Sequence, residues 1–144
     1  MEKLKYKQIE HLSDVGIESY GRTLKELFEN SALGMFSVMG SLKRIDCKKK
    51  DKILVKEKNL LGIEDLLLSF LQKLLFKFET ERILYSEFNV FKVDKDKGLV
   101  KAEVCGEEDN LKKHKIKVMI KAVTYHMLQV RKNELWKATI IFDI

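Results

Sequence analysis

The chain has 144 residues, 45% of them hydrophobic, which is enough for a real core and excludes intrinsic disorder. It has 28 Lys and Arg against 22 Asp and Glu, so its net charge of +6 describes a basic protein. No stretch reaches the roughly 18 apolar residues of a membrane-spanning helix. The first residues, MEKLKYKQIEH, lack the apolar region of a signal peptide. We therefore expect a cytoplasmic protein that does not contact membranes.

The first third of the chain predicts a strand, a polar turn and a helix. Apolar residues among lysines over residues 3–9 indicate a short strand, and the polar segment EHLSDVGIESYG that follows is typical of a turn. Thr23 and Glu26 match a capping box, in which the two residues satisfy free backbone N–H groups. The helix that they open has apolar residues at helical spacing and should end near Gly40.

The middle third predicts a basic strand, a helix and a hairpin. Residues 43–58 are rich in lysine, and Ile53 and Val55 alternate with lysines as in an exposed strand. A broad apolar face predicts a second helix over residues 63–78. Strands over residues 88–93 and 99–104 flank a hairpin turn at residues 94–98.

The last third predicts a strand over residues 116–122, a break at 123–126, and a hairpin of residues 127–131 and 135–144. In this order the unit strand–helix–strand–strand occurs twice. Residues from about 46 to 112 form one copy, and residues 1–45 with 113–144 form the other. The sequence therefore predicts an α+β fold in which one unit is inserted into the other, forming one compact body and a single domain over residues 1–144.

The two cysteines, Cys47 and Cys105, are far apart in sequence and match neither a zinc motif nor a disulfide framework. Cys105 falls in a strand pattern, which favours a packed side chain. Cys47 has no catalytic partner near it in sequence. We interpret neither residue as functional.

Acidic groups occur near both ends of the sequence. The segment from Glu10 to Asp14 has two carboxylates and an imidazole in a predicted turn, and Asp143 stands beside the terminal carboxylate of Ile144 after an apolar strand. If the first and last strands are neighbours, Asp14, Asp143 and Ile144 can share one ion. Such oxygen ligands favour Ca²⁺, Mg²⁺ or Mn²⁺ over zinc. The alternative for the first segment is a solvated Asx-turn at Asp14.

Two histidines and the lysine runs have several interpretations. His126 lies at the break between two strands, where it can be a metal ligand, a base or a hydrogen-bonded structural residue. His114 lies in the lysine-rich segment KKHKIK, and we interpret it as solvated. The lysine runs can bind RNA phosphates. No aromatic residues are interleaved with them as in a stacking platform, so a solvated face is the favoured interpretation.

Three segments together resemble the archease family. The first is EHLSDVGI at residues 10–17, followed by Tyr20-Gly21 and the apolar pattern of the helix from Leu24 to Phe36. The second is IKAVTYHMLQV at residues 120–130, and the third is WKATIIFDI at residues 136–144. The stretch Gly106-Glu107 followed by His114 also fits the family's spacing. The resemblance extends from residue 6 to residue 144.

The resemblance implies a fold and a function. Archeases are small non-enzymatic partners of the RtcB-type RNA ligase, which joins tRNA halves after intron removal, and their fold is one strand–helix–strand–strand unit inserted into another. It implies that the chain promotes guanylylation and multiple turnover of that ligase, with at most a weak tRNA contact. It also implies a divalent-metal site at Asp14, Asp143 and Ile144, for Ca²⁺ first, with Mg²⁺ or Mn²⁺ as alternatives.

The sequence departs from the family pattern at three positions. Glu10 stands where the family has Asp, which keeps the charge on a longer side chain. Leu12 replaces a hydroxyl residue, and Phe70 stands where the family helix carries Trp.

Two other functions compete with the ligase activator. One is a metal-dependent hydrolase that uses Asp14, Asp143 and His126. The other is a basic RNA-binding or chaperone module that works through its lysines. An activator does nothing alone and accelerates a ligase, whereas an RNA-binding module binds RNA without the ligase in a salt-dependent way.

Overall fold

Seven strands form two antiparallel sheets in the computed structural model, which describes residues 4–10 and 13–144. The strands are β1 Tyr6–Glu10, β2 Asp14–Gly21, β3 Lys49–Lys56, β4 Ile83–Asp94, β5 Leu99–Glu108, β6 Ala122–Lys132 and β7 Trp136–Asp143. The first sheet has the order β1-β2-β7-β6, and the second has the order β3-β5-β4. The three strands of the second sheet come from one continuous part of the chain, residues 49–108, whereas the first sheet joins strands from the two flanking segments.

Two long helices pack between these sheets. The helices are α1 Leu24–Met39, α2 Ile63–Glu81 and the short α3 Leu111–His114, with a 3₁₀ turn at Leu42–Arg44. Helix α1 contacts β1 and β2 of the first sheet and β4 of the second, and α2 contacts β6 of the first sheet and all three strands of the second. In the described part of the chain, no helix is long and apolar enough to cross a bilayer.

One hydrophobic core joins the two helices and both sheets. The rings of Phe28 on α1 and Phe70 on α2 are fully buried, with their centroids 5.7 Å apart. Truncating such a side chain to Ala typically costs about 3–5 kcal/mol of stability, because the cavity left behind does not collapse fully. Phe70 is therefore a central packing residue.

The α+β class and the insertion are confirmed. The middle unit is β3-α2-β4-β5, which is the predicted strand–helix–strand–strand order, and the flanking segments supply β1, β2, α1, β6 and β7. The two units share one compact body because their residues belong to the same core cluster. The unit boundaries near residues 46 and 112 stay a prediction.

Residues 14–21 form a strand, so the turn predicted there is wrong beyond its first residues. Ile17 and Ser19 have no exposed surface, although Ser19 is polar. The Ser19 hydroxyl lies 2.6 Å from the Ser31 hydroxyl of α1, and this hydrogen bond offsets the cost of burying both groups. A polar strand can thus lie at the centre of a sheet when a helix supplies its side-chain partner.

The strand predicted over residues 116–122 is also wrong. Strand β6 begins at Ala122 and includes the residues that the sequence indicated as a break. Before it, the Lys117 N–H donates to Met39 O and the Lys121 N–H donates to Asp143 O, both at 2.8 Å. The alternation of Ile116, Val118 and Ile120 reflects packing against the core rather than strand pairing.

Cys47 and Cys105 form a disulfide, so the expectation that they make no disulfide is wrong. They are 58 residues apart in sequence, but their Cα atoms are only 5.1 Å apart. Cys47 lies two residues before β3, whose first residue, Lys49, pairs with Gly106 of β5. Cys105 is itself paired with Lys50, so Cys47 meets it from the segment just before the ladder, where the Lys48 N–H donates to Gly106 O at 2.9 Å. The course of this segment beside β5 brings the two cysteines together, which their spacing along the sequence does not reveal.

A buried charged cluster joins β5 to α3, and His114 belongs to it instead of being solvated as predicted. His114 is 2% exposed and Glu107 is 5% exposed. His114 Nδ1 accepts the Asn110 N–H at 2.8 Å, so Nε2 carries the proton and donates to Glu107 Oε1 at 2.6 Å. Lys113 Nζ lies 2.6 Å from the same oxygen. Two donors on one carboxylate oxygen make this a site where a buried charge is stabilised by hydrogen bonds.

The Glu107 carboxylate should make stability depend on pH. Burial by itself raises the pKa of Glu107, but the hydrogen bonds from Lys113 and His114 lower it by more than burial raises it. The net result is a pKa of about 2 instead of the usual 4.5. Because the pKa of Glu107 is lower in the folded state, the ionised carboxylate stabilises the fold at pH values above about 4.5. This contribution is lost as the pH falls from about 4.5 to about 2. We expect Glu107→Gln to lower stability at neutral pH and to flatten this acid-side slope.

Denaturant unfolding at a series of pH values measures the slope, and Glu108→Gln is the matched control because Glu108 is the exposed neighbour on the same strand. An equal slope in wild type and Glu107→Gln would contradict the role of this carboxylate.

Candidate metal centre

Asp14 and Asp143 are cross-strand partners. Asp14 is the first residue of β2 and Asp143 the last of β7, and the register pairs them directly. Directly opposed residues on antiparallel strands point to the same face, with Cβ atoms about 4.5–5.5 Å apart. The sequence predicted that Asp14 and Asp143 would be brought together if the first and last strands were neighbours. In the structure it is β2, the second strand, that pairs with β7. Asp14 thus belongs to a strand ladder rather than to a solvated Asx-turn.

Asp14 has an unsatisfied carboxylate oxygen. Its Oδ1 atom is buried and has no hydrogen-bond partner among residues 4–10 and 13–144. A buried oxygen without a partner is destabilising, and like charges placed directly opposite each other on two strands repel. A cation between the carboxylates would remove both costs, so these residues fit a divalent ion with oxygen ligands.

Ile144 and the end of β7 are held firmly in place. The Asp143 carbonyl accepts the Lys121 N–H at 2.8 Å, and Ala122 of β6 pairs with Asp143 on the other side from β2. The Ile144 side chain is half-buried and packs against the core. Asp143 itself is exposed, so an ion can reach this corner from solvent.

The structure describes only part of the predicted acidic turn. Glu10 ends β1, where its backbone pairs with Val15. His11 and Leu12 lie outside the described residues, so the departure from the family pattern at Leu12 lies there as well.

His126 does not join the two aspartates. It is exposed and lies in a bulge of β6, between the pairs Thr124–Ile141 and Gln129–Thr139. The bulge stands opposite Ile140, three residues from Asp143 along β7, which is about 10 Å at the rise of a strand. The register therefore does not bring His126 together with Asp14 and Asp143, as the hydrolase hypothesis requires.

The bulge is itself an unusual backbone feature. Met127 has φ of 55°, a left-handed conformation that residues other than glycine rarely adopt. Tyr125, His126 and Met127 are all exposed there. The sequence signal for this feature was the break predicted at residues 123–126, which the structure turns into an interrupted strand.

Lys48 directly precedes the edge strand β3, and Lys49 and Lys50 begin it. Their side chains are 68%, 53% and 71% exposed, and each lies within 4.0 Å of a glutamate: Glu107, Glu81 and Glu103 respectively. The pairs of Lys49 and Lys50 are exposed, and such pairs typically contribute only about 0–1 kcal/mol, whereas Lys48 reaches the buried Glu107. Lysines also keep an edge strand from pairing with other chains. This arrangement agrees with a solvated face.

Sequence reasoning identified the acidic residues but missed the strand that positions one of them. The available signal was the alternation of Val15, Ile17 and Ser19, which are all buried in the structure. It also missed the cysteine pair, for which the sequence alone carries no spacing signal.

Comparisons with known proteins give one family. The chain matches the Archease protein family (MTH1598/TM1083) over residues 6–144. It is 36% identical to the protein archease of Methanosarcina barkeri over 142 residues, which cover 96% of this chain and 95% of that protein. It is also 36% identical to the protein archease of Thermococcus kodakarensis over 143 residues, covering 97% of this chain and 99% of that protein.

A solved structure is similar as well. The solution structure of protein 1598 from Methanobacterium thermoautotrophicum matches with a TM-score of 0.79 and 33% sequence identity. The match covers 97% of this chain and 99% of that one, so the likeness extends over both sheets and both long helices.

Proposed function

The chain belongs to the archease family, and we propose that it is a non-enzymatic activator of an RtcB-type RNA ligase in tRNA splicing. In this role it promotes guanylylation of the ligase and lets each ligase molecule complete many reactions. The proposal includes a cytoplasmic location and at most a weak direct contact with tRNA. It is supported by the family match from residue 6 to residue 144 and by the similar relatives, which are named for the family and not for a reaction.

The observation that carries the proposal for this chain is the Asp14–Asp143 pair, in which a buried Asp14 oxygen has no hydrogen-bond partner among the described residues. We propose that Asp14, Asp143 and a main-chain oxygen of Ile144 hold one divalent ion, Ca²⁺ first and Mg²⁺ or Mn²⁺ as alternatives. Bound there, the ion neutralises two opposed carboxylates. The protein positions the ligands: the β2–β7 ladder fixes the spacing of the two carboxylates, and the contacts with β6 and Lys121 fix the Asp143 backbone.

The two competing functions have weaker support. A hydrolase built on Asp14, Asp143 and His126 needs the histidine at the ion, and the register separates them by about 10 Å. An RNA-binding or chaperone module would rely on lysines that are exposed and partly paired with glutamates.

A reconstituted ligation reaction tests the proposal. We expect the purified chain alone to leave tRNA halves unchanged, and to increase the number of products made per molecule of an RtcB-type ligase. Hydrolysis of RNA by the chain alone would favour the enzyme, and tight salt-dependent RNA binding with no effect on the ligase would favour the RNA-binding module.

The first prediction concerns the two aspartates. We expect Asp14→Asn and Asp143→Asn each to weaken Ca²⁺ or Mg²⁺ binding at least about tenfold, since even outer partners of metal ligands contribute about 10–100-fold. Ligase activation should fall with the affinity. Without metal, these variants should be as stable as wild type or more stable, because a repulsion is removed.

Calorimetry measures the affinity, and thermal unfolding with and without Ca²⁺ measures the linked stability. Asp96→Asn is the matched control, since Asp96 is exposed in the turn between β4 and β5. If wild type and Asp14→Asn gained equal stability from Ca²⁺, Asp14 would not be a ligand.

The second prediction concerns Ile144. In a protein that ends at Ile144, a flexible tail added there replaces a terminal carboxylate by a neutral amide carbonyl. We expect lower metal affinity and lower ligase activation, with little change in metal-free stability, because the buried side chains of β7 are untouched. The same tail added before Met1 is the control. Full affinity in the C-terminally extended protein would show that the Ile144 carboxylate is only solvated.

The third prediction concerns the lysines at the start of β3 and Lys48, which directly precedes that strand. We expect replacement of Lys48, Lys49 and Lys50 by Gln to slow association with the ligase and to reduce its salt dependence, while maximal activation stays near wild type. Gln at Lys95, Lys97 and Lys101, which are exposed in the turn after β4 and at the start of β5, removes the same number of charges and provides the control. Loss of all activation at low salt would show that these lysines make a specific contact.

A further inference from the structure

Three potential metal ligands converge on the second sheet, far from the aspartate pair in sequence. The sulfur atoms of Cys47 and Cys105 and a carboxylate oxygen of Glu87 all lie within 4.8 Å of one another. Among the described residues, this is the one group of three His, Cys, Asp or Glu side chains with such spacing.

The backbone brings these residues together through a β-bulge. Strand β4 has a register shift between Tyr85 and Glu87, and this shift places Glu87 directly opposite Cys105 of β5. Directly opposed residues share a face of the sheet, so the carboxylate and the sulfur lie side by side. The bulge thus aims an acidic side chain at the cysteine pair.

The segment that carries Cys47 is held on both sides. The hydroxyl of Ser86, the residue at the bulge, donates to Ile45 O at 2.9 Å. On the other side of Cys47, the Lys48 N–H donates to Gly106 O at 2.9 Å. Because these bonds do not involve the sulfur atoms, they can keep Cys47 near Cys105 when the disulfide is broken.

The group lies on the face of the sheet that points away from the core. Along β5, the side chains of Ala102 and Val104 point to one face of the sheet and belong to the hydrophobic core cluster. Cys105 follows Val104, so its side chain points to the opposite face, and it is not part of that cluster. Cys47 and Glu87 are exposed, while Cys105 is 5% exposed. No cation lies within ion-pair distance of Glu87 in the part of the chain that the structure describes. An ion from solvent can therefore reach Cys47 and Glu87 directly, with the Cys105 sulfur within 4.8 Å of their ligand atoms.

We propose that reduction of the Cys47–Cys105 disulfide creates a zinc site, with the two thiolates and the Glu87 carboxylate as ligands and a water molecule as the fourth. Tetrahedral zinc with Zn–S bonds of about 2.3 Å needs its two sulfur atoms about 3.8 Å apart. A Cα–Cα distance of 5.1 Å allows this separation by side-chain rotation alone. Thiolate ligands select zinc over Ca²⁺ and Mg²⁺, so the site differs in chemistry from the aspartate corner.

The redox step is an ordinary thiol–disulfide exchange. A cellular dithiol gives two electrons and two protons, its own sulfur atoms form a disulfide, and the Cys47–Cys105 bond breaks to give two thiols. Zinc binding then releases the two thiol protons. A reducing compartment keeps such thiols reduced. The occurrence of this state in the cell rests on the proposed cytoplasmic location, whereas the chemistry of the site does not.

Cobalt binding to the full chain tests the proposal. The protein is reduced with a water-soluble phosphine, desalted without oxygen and titrated with Co²⁺, whose bonds to sulfur give a charge-transfer band in the near ultraviolet. We expect one equivalent of Co²⁺ to produce the band in the reduced protein, and Zn²⁺ to remove it by displacement. The oxidised protein and Cys47→Ser should show no band.

Further variants test whether the Glu87 carboxylate is a ligand and whether the cysteine site is distinct from the aspartate site. Glu87→Gln should weaken Co²⁺ and Zn²⁺ binding at least about tenfold, whereas Glu103→Gln, on the same face of β5 as Cys105, should bind as wild type does. Asp14→Asn should keep the band, because the aspartate corner supplies no sulfur. Absence of the band in the reduced wild-type protein, or equal affinities of Glu87→Gln and Glu103→Gln, would overturn the proposal.

Discussion

The pairing of β2 with β7 is the constraint on which the rest of the structure depends. It joins residues 14–21 to residues 136–143 along the whole length of both strands, across more than a hundred intervening residues. The same register pairs Ile17 with Ile140, both fully buried, and Asp14 with Asp143. A slip of one residue would turn the isoleucines to solvent, so the core fixes the register and the register fixes the aspartate pair.

Local patterns made much of the fold predictable, and non-local pairing explains what was missed. Helices α1 and α2 and the β4–β5 hairpin lie close to their predicted positions, because capping, helical spacing and turn residues act between neighbours in sequence. Strand β2 has glycines and polar residues, and its stability comes from β1, β7 and the Ser31 hydroxyl of α1. Nothing within residues 14–21 themselves reveals those partners.

The candidate sites divide in the same way. The sequence could identify Asp14 and Asp143 because unusual acidic residues near strand ends are visible in one dimension. It assigned His114 to solvent because lysines surround it in sequence, whereas in the structure its neighbours are Glu107 and the Asn110 backbone. It left Cys47 and Cys105 unpaired for the same reason, since they meet only where the segment before β3 runs beside β5. The identity of a buried polar residue is a weak guide to its environment until its tertiary partners are known.

An inserted unit leaves its host intact only if its two ends meet, and here charged and covalent contacts hold them together. Asp46, three residues before β3, lies 2.7 Å from Lys113, which is five residues after the end of β5. Lys113 also binds the buried Glu107 of β5, and the adjacent Cys47 is bonded to Cys105 of the same strand. These contacts tie the segment before β3 and the segment after β5 to each other and to β5. The charged cluster and the cysteine pair thus close the middle unit at its base, where the chain passes from α1 into it and from it towards β6.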